Sequence, residues 1–105
     1  MGRQNPTVII ALGGNAISPK NEAGTIDEQF KHIRESLKSV MCFVKKRYNI
    51  CITHGNGPQV GAELLKNEMT ESVIPPLPLG VLVANTQGPI GYMIQESLQN
   101  ELYNE

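Results

Sequence analysis

The sequence predicts an α/β fold built on parallel strands, and three observations carry that reading. Two short β-branched runs, Thr7 to Leu12 and Ile50 to Thr53, each stop at glycine and asparagine. Between them lies a long segment whose apolar residues recur at helical spacing. Strand, helix and strand in that order form a βαβ unit with a right-handed crossover, and both glycine loops then fall at the carboxyl edge of the sheet, where open α/β folds bind ligands.

The elements follow in chain order. Thr7 to Leu12 is too short and too β-branched for a helix, and it ends at Gly13-Gly14-Asn15-Ala16. Ser18 to Gly24 is polar and broken by Pro19 and Gly24, so it reads as a connection. Thr25 and Glu28 have capping-box spacing, and Phe30, Ile33, Leu37, Val40, Met41 and Val44 then form one apolar stripe on a helix that runs to about Arg47. After the second strand, His54-Gly55-Asn56-Gly57 leads into a helix from Pro58 to about Met69. On it Val60, Leu64 and Leu65 share a side, and Gly61 and Ala62 allow close approach to the sheet. Thr70 to Pro78 contains Pro75, Pro76 and Pro78 and reads as an extended connection. Leu79 to Tyr103 reads as two helical pieces kinked at Gly88-Pro89.

Composition narrows the function classes. The chain has 105 residues and a formal net charge of -1, which sets a ceiling of one small domain and gives no electrostatic case for nucleic acid or an anionic lipid surface. Lys45-Lys46-Arg47, the one cationic cluster, suits a solvated helix terminus. Cys42 and Cys51 have neither metal-ligand nor disulfide-framework spacing and read as buried free thiols. The amino terminus has no apolar signal region and no window is long enough to span a bilayer, so a reducing cytoplasm is the expected setting.

The chemistry concentrates in the two loops. Glycines at strand ends permit positive φ and close backbone approach, and the unpaired N–H groups of a following helix turn favour an anion. Gly55, Gly57 and Gly61 fall one residue outside the dinucleotide fingerprint, and no strand ending in an acid follows. His54 has no neighbouring carboxylate or nucleophile to make it a base, so it reads as ordering its loop, and His32 as a surface residue. Asn15 and Asn56 each suit turn chemistry, but as a pair beside glycines they suit a site that holds a small oxyanion through neutral amides. Phosphoryl transfer is the matching reaction class, since its catalysis is positioning and charge stabilisation. Neither loop supplies the Lys or Arg that such a reaction needs, and there is no P-loop lysine.

The stretches Val8 to Ala16, Thr53 to Gly61 and Thr86 to Tyr92, in this order and spacing, resemble the amino-terminal third of carbamate kinases, across nearly the whole chain. The resemblance implies the amino acid kinase fold, a three-layer α/β/α sandwich with a mainly parallel sheet, of which residues 1–105 would be the amino-terminal, carbamate- and phosphate-binding part. It implies interconversion of carbamoyl phosphate and ADP with carbamate and ATP, with Mg2+, in cytosolic homodimers, often at the end of arginine breakdown. Many relatives that phosphorylate amino acid carboxylates carry a lysine two residues before the glycine pair. This chain has Ala11 there, as carbamate kinases do.

By the same resemblance Gly13, Gly14 and Asn15 hold the transferring phosphate, and Gly55, Asn56 and Gly57 hold the carbamate end. The family's catalytic lysines and nucleotide-binding residues belong to later segments, so no catalytic residue, metal ligand or ATP-binding residue is expected in this sequence. Two other readings stay open: a non-catalytic remnant that binds a small anion or an intact kinase, and another amino acid kinase acting on a different acceptor.

Overall fold

The computed structural model describes residues 4–104. Strand β1 (Thr7–Leu12) and strand β2 (Asn49–His54) pair in parallel, in a register running from Thr7 opposite Asn49 to Leu12 opposite His54. Between them come the single turn α1 (Gly14–Ile17) and the long helix α2 (Ile26–Lys45). Helices α3 (Gly57–Thr70) and α4 (Leu79–Tyr103) follow β2. Among the described residues the sheet has these two strands alone. This is a portion of an α/β fold.

Helix α2 starts as its sequence dictates. Thr25 Oγ1 accepts from the Glu28 N–H at 3.2 Å while Glu28 Oε1 accepts from the Thr25 N–H at 2.9 Å, so two otherwise orphaned donors are satisfied reciprocally. The far end is a Schellman motif with an unusual occupant. Tyr48 N–H donates to Phe43 O, Arg47 N–H donates to Val44 O, and Arg47 itself takes the left-handed conformation (φ 60°) that glycine normally fills. The hydrophobic contact expected of that motif is present as Phe43 and Tyr48, with ring centroids 5.4 Å apart.

Burial follows from period. Along β1 and β2 the residues alternate, so Val8, Ile10, Leu12, Ile50, Ile52 and His54 face inward and Thr7, Ile9, Ala11, Cys51 and Thr53 outward. Helix α2 covers the inward face with Ile33, Leu37 and Val40. Ile90, Met93 and Ile94 of α4 join the same core, together with Leu12 and Ile17. The outward face carries no helix among the described residues, and Ile9 there is 70% exposed.

Several expectations need correction. Cys42 and Cys51 are both exposed, because Cys42 lies on the outer side of α2 and Cys51 on the uncovered sheet face. Helix α3 buries no residue: it packs on α1 and α4 rather than on the sheet, Leu64 and Leu65 are exposed, and Gly61 has open space where a Cβ would be, so it marks no close approach. Leu79–Tyr103 is one helix rather than two pieces, with Pro89 inside it. Proline lacks the N–H that would reach the Asn85 carbonyl, but the apolar positions on either side lie on one stripe and packing on α2 keeps the helix going. The 70–78 connection is extended only over its last residues; Val73 and Ile74 N–H groups both return to Thr70 O. Asn67 then brackets the connection, donating to Leu77 O at 2.8 Å and accepting from Leu77 N–H at 3.1 Å.

Candidate functional site

The parallel register decides where the loops meet. With Leu12 opposite His54, both strands end level, and Gly55 N–H donates to Leu12 O at 2.8 Å, which extends the ladder one step into the loops. Beyond that step the two loops touch. A Cβ placed on Gly14 would stand 2.9 Å from Gly57 N and Pro58 Cδ and 3.2 Å from Asn56 N; one placed on Gly55 would stand 3.0 Å from Gly14 N. Only glycine permits backbones to approach so closely, so Gly14 and Gly55 are required by loop–loop packing. Gly13 and Gly57, by contrast, have open space where a side chain would project.

The structure therefore brings Gly13, Gly14, Asn15, Gly55, Asn56 and Gly57 to one edge. Gly14 is buried, Asn15 exposed and Asn56 half-buried. The edge collects backbone donors. Asn56 is the N-cap of α3 but makes no side-chain capping bond, and Pro58 has no N–H, which leaves the Gly57 and Gln59 N–H groups at the mouth of the helix. The first turns of α1 and α3 lie beside each other, so their N–H groups collect partial positive charge at this edge.

Neither loop holds a Lys or Arg. Among the described residues no group of His, Cys, Asp and Glu is arranged to hold a metal ion. The arrangement can thus offer backbone donors to a small anion, and neither loop adds a cationic side chain to them.

His54 serves its own loop: its Nδ1 lies 3.1 Å from Gly55 O and donates there in the tautomer that protonates this nitrogen. His32 is not a free surface residue. Its Nε2 sits 2.7 Å from Glu22 Oε2 and its Nδ1 3.8 Å from Glu35 Oε2, so it staples the 18–24 connection onto α2. Gly24, at φ +79°, makes the turn that brings this connection back to the helix.

Two residues at this edge lie in the stretches that carry the family resemblance but were given no role from the sequence. Thr86, 3% exposed on α4, accepts from Asn56 Nδ2 at 3.0 Å and donates to Val83 O at 2.7 Å. Its sequence signal was the helical period itself, since Leu82, Thr86 and Ile90 follow at four-residue steps. Gln59 has both side-chain amide atoms buried without a partner, in the wall between clefts of about 240 and 450 Å3 that lie beside the loop edge. Its place within Thr53 to Gly61 was marked by the resemblance, but nothing in the sequence marked its side chain.

With this geometry the chain can be set against known proteins. No family model matches it. The carbamate kinase of Pyrococcus horikoshii is 46% identical over 97 residues, and that of Thermococcus kodakarensis 48% over 98, each alignment covering 90% of this chain. The chain is homologous to carbamate kinases. It spans about a third of the length of these relatives, 31% of each. The fold agrees: a Giardia lamblia carbamate kinase bound to AMP-PNP superposes with a TM-score of 0.89 at 40% identity, covering 95% of this chain and 35% of that one. A second Giardia carbamate kinase structure gives 0.90 at 39% identity over 97% of this chain and 34% of that one. The carbamate kinase likeness thus extends over nearly all of the chain, the two glycine loops included.

Proposed function

We propose that the chain is the carbamate- and phosphate-holding part, residues 1–105, of a carbamate kinase domain. The reaction is transfer of the phosphoryl group between carbamoyl phosphate and ADP: the bond from phosphorus to the carbamate oxygen breaks, one from phosphorus to the terminal oxygen of ADP forms, and carbamate and ATP result. The observation that carries the reading is the contact between the two strand-end loops, which makes one donor-lined edge out of residues about forty positions apart in sequence. Gly13, Gly14 and Asn15 hold the transferring phosphate through main-chain N–H groups and the Asn15 amide. Gly55, Asn56 and Gly57 hold the carbamate end, a planar group with oxygens for the α3 first turn and an amino group for a carbonyl or amide oxygen.

Nucleotide, Mg2+ and the lysines come from residues outside this chain in the proposal. Support comes from the lysine-free loops, and the AMP-PNP bound by a Giardia relative supports nucleotide use by the whole enzyme. A homodimer fits the exposed apolar residues Met69, Val73, Ile74 and Leu79 at one end of α3 and α4. The absence of a nucleic-acid partner in the proposal fits the near-neutral charge, and a cytoplasmic place in arginine metabolism is proposed from the carbamate kinase likeness alone. Among the described residues no helix is long and apolar enough to cross a membrane.

The test is a chimera in which this chain replaces the matching third of the Pyrococcus horikoshii relative. The expected result is ATP formation from carbamoyl phosphate and ADP; a chimera that folds and binds ADP but forms no ATP refutes the reading. A second reading, that the 105-residue product by itself is a non-catalytic binder of a small anion, is favoured by the absence of a cation from both loops. Carbamoyl phosphate binding by the isolated chain, together with a chimera that folds and binds ADP but forms no ATP, distinguishes it from the first.

A further inference from the structure

We infer that Thr86 is a positioning residue for the substrate loop: it draws the Asn56 side chain off its own helix and so keeps the first-turn N–H groups of α3 open to an anionic substrate. The inference rests on the reading that this loop holds carbamoyl phosphate. An asparagine at the N-cap ordinarily folds its Oδ1 back onto the N–H of the second or third helical residue. Here the second is Pro58, which has none, and the third is Gln59. Asn56 occupies the N-cap of α3, yet its side chain makes no capping bond.

The reason lies 30 residues further on. Asn56 Nδ2 donates to Thr86 Oγ1 at 3.0 Å, and the Thr86 proton is already committed to Val83 O at 2.7 Å. The hydroxyl oxygen can therefore only accept, so the nitrogen end of the Asn56 amide must face α4. A flipped amide would set two acceptors against each other. Thr86 is 3% exposed, which keeps water from competing for the bond. The clamp thus fixes two things at once. Oδ1 of Asn56 is turned away from α4, and the Gln59 N–H, which Asn56 would otherwise occupy, is left for the ligand.

The test compares Thr86→Val, which keeps the shape and loses the acceptor, with Thr86→Ser, which keeps the acceptor, by 15N NMR on the 105-residue chain with carbamoyl phosphate as the probe. In Thr86→Val the Gln59 amide should gain exchange protection as Asn56 turns back to cap it, and the dissociation constant should rise about fivefold, the worth of one competing cap bond. Thr86→Ser should restore both. A Thr86→Val chain with Gln59 exchange and affinity both unchanged overturns the inference, as does a wild-type Asn56 side-chain amide whose protons exchange freely.

A purely structural Thr86 would lower stability without moving the Gln59 amide. Should Thr86→Val not fold, Asn56→Asp gives the exchange reading alone, because a carboxylate cannot donate to Thr86 and should cap and protect the Gln59 amide; an unprotected Gln59 amide there overturns the inference. A wild-type chain that binds no carbamoyl phosphate while the Gln59 response persists sinks the functional reading and supports the clamp.

Discussion

Replacing Gly14 with alanine should break the contact that makes the two loops one site. The new Cβ would lie 2.9 Å from Gly57 N and Pro58 Cδ and 3.2 Å from Asn56 N, against the ~3.5–4.0 Å at which such atoms normally rest. The obstacles are backbone and a proline ring, so nothing swings aside, and the loops must part by more than about half an ångström, the shortfall from ordinary contact. Overpacking of this kind costs roughly 1–3 kcal/mol. Alanine recovers up to about 1 kcal/mol through its better helix propensity at the start of α1. The net loss of about 1–2 kcal/mol lowers Tm by roughly 5–10 °C for a chain of this size.

The neighbouring glycine is the control. Gly13 has nothing within 4 Å of the point where a Cβ would stand, and its backbone is ordinary and extended, φ -71° and ψ 149°. Gly13→Ala should therefore stabilise by about 0.4–1 kcal/mol through the unfolded chain. Thermal melts of the two variants followed by circular dichroism should shift in opposite directions. If Gly14→Ala melts at or above Gly13→Ala, the loops do not touch as described, and the edge on which the functional reading depends falls apart. A Gly14→Ala, Gly55→Ala double variant should lose less than the sum of the singles, since the first alanine already separates the same two backbones.

Arg47→Gly should stabilise: a left-handed non-glycine residue closes α2, and relieving it gains roughly 0.5–1 kcal/mol net of glycine's greater unfolded freedom, seen as a Tm a few degrees higher. The Glu28 carboxyl is held below the usual glutamate range by hydrogen bonds from the Thr25 N–H first and the Thr25 hydroxyl second. A carboxyl lowered in the folded state stabilises above its unfolded value and loses that contribution as pH falls through the folded one. The first turn of α2 should therefore fray on acidification below the glutamate range. A 13C titration of the Glu28 carboxyl should show the lowered value moving part of the way toward normal in Thr25→Ala, which loses the hydroxyl but keeps the N–H, and whose Tm also falls by a few degrees; an unchanged titration and Tm together refute the hydroxyl's part in the cap.

Local chemistry accounts for what was legible beforehand. Thr25 with Glu28, the β-branched runs and the stripe through Ile33, Leu37 and Val40 each depend on neighbours a few residues away, and each appears where expected. The cysteines and α3 were misread for one reason: an apolar or small residue in a regular element was assigned to a covered face, but period says only which residues share a face. Whether another layer lies on that face is a separate matter. Cys51 alternates correctly along β2 and lies outward on a face that no described helix covers.

The chain's own letters determined the glycine–asparagine loops, their place at strand ends and the lack of a cation in either, because these follow from residue type and strand length. Tertiary structure alone decided that Gly14 and Gly55 serve the contact between loops while Gly13 and Gly57 stay open, and that Thr86 reaches back to Asn56. The strand register sets the first and the docking of α4 sets the second. Both join residues 30 or more positions apart, across distances that no local rule of sequence can measure.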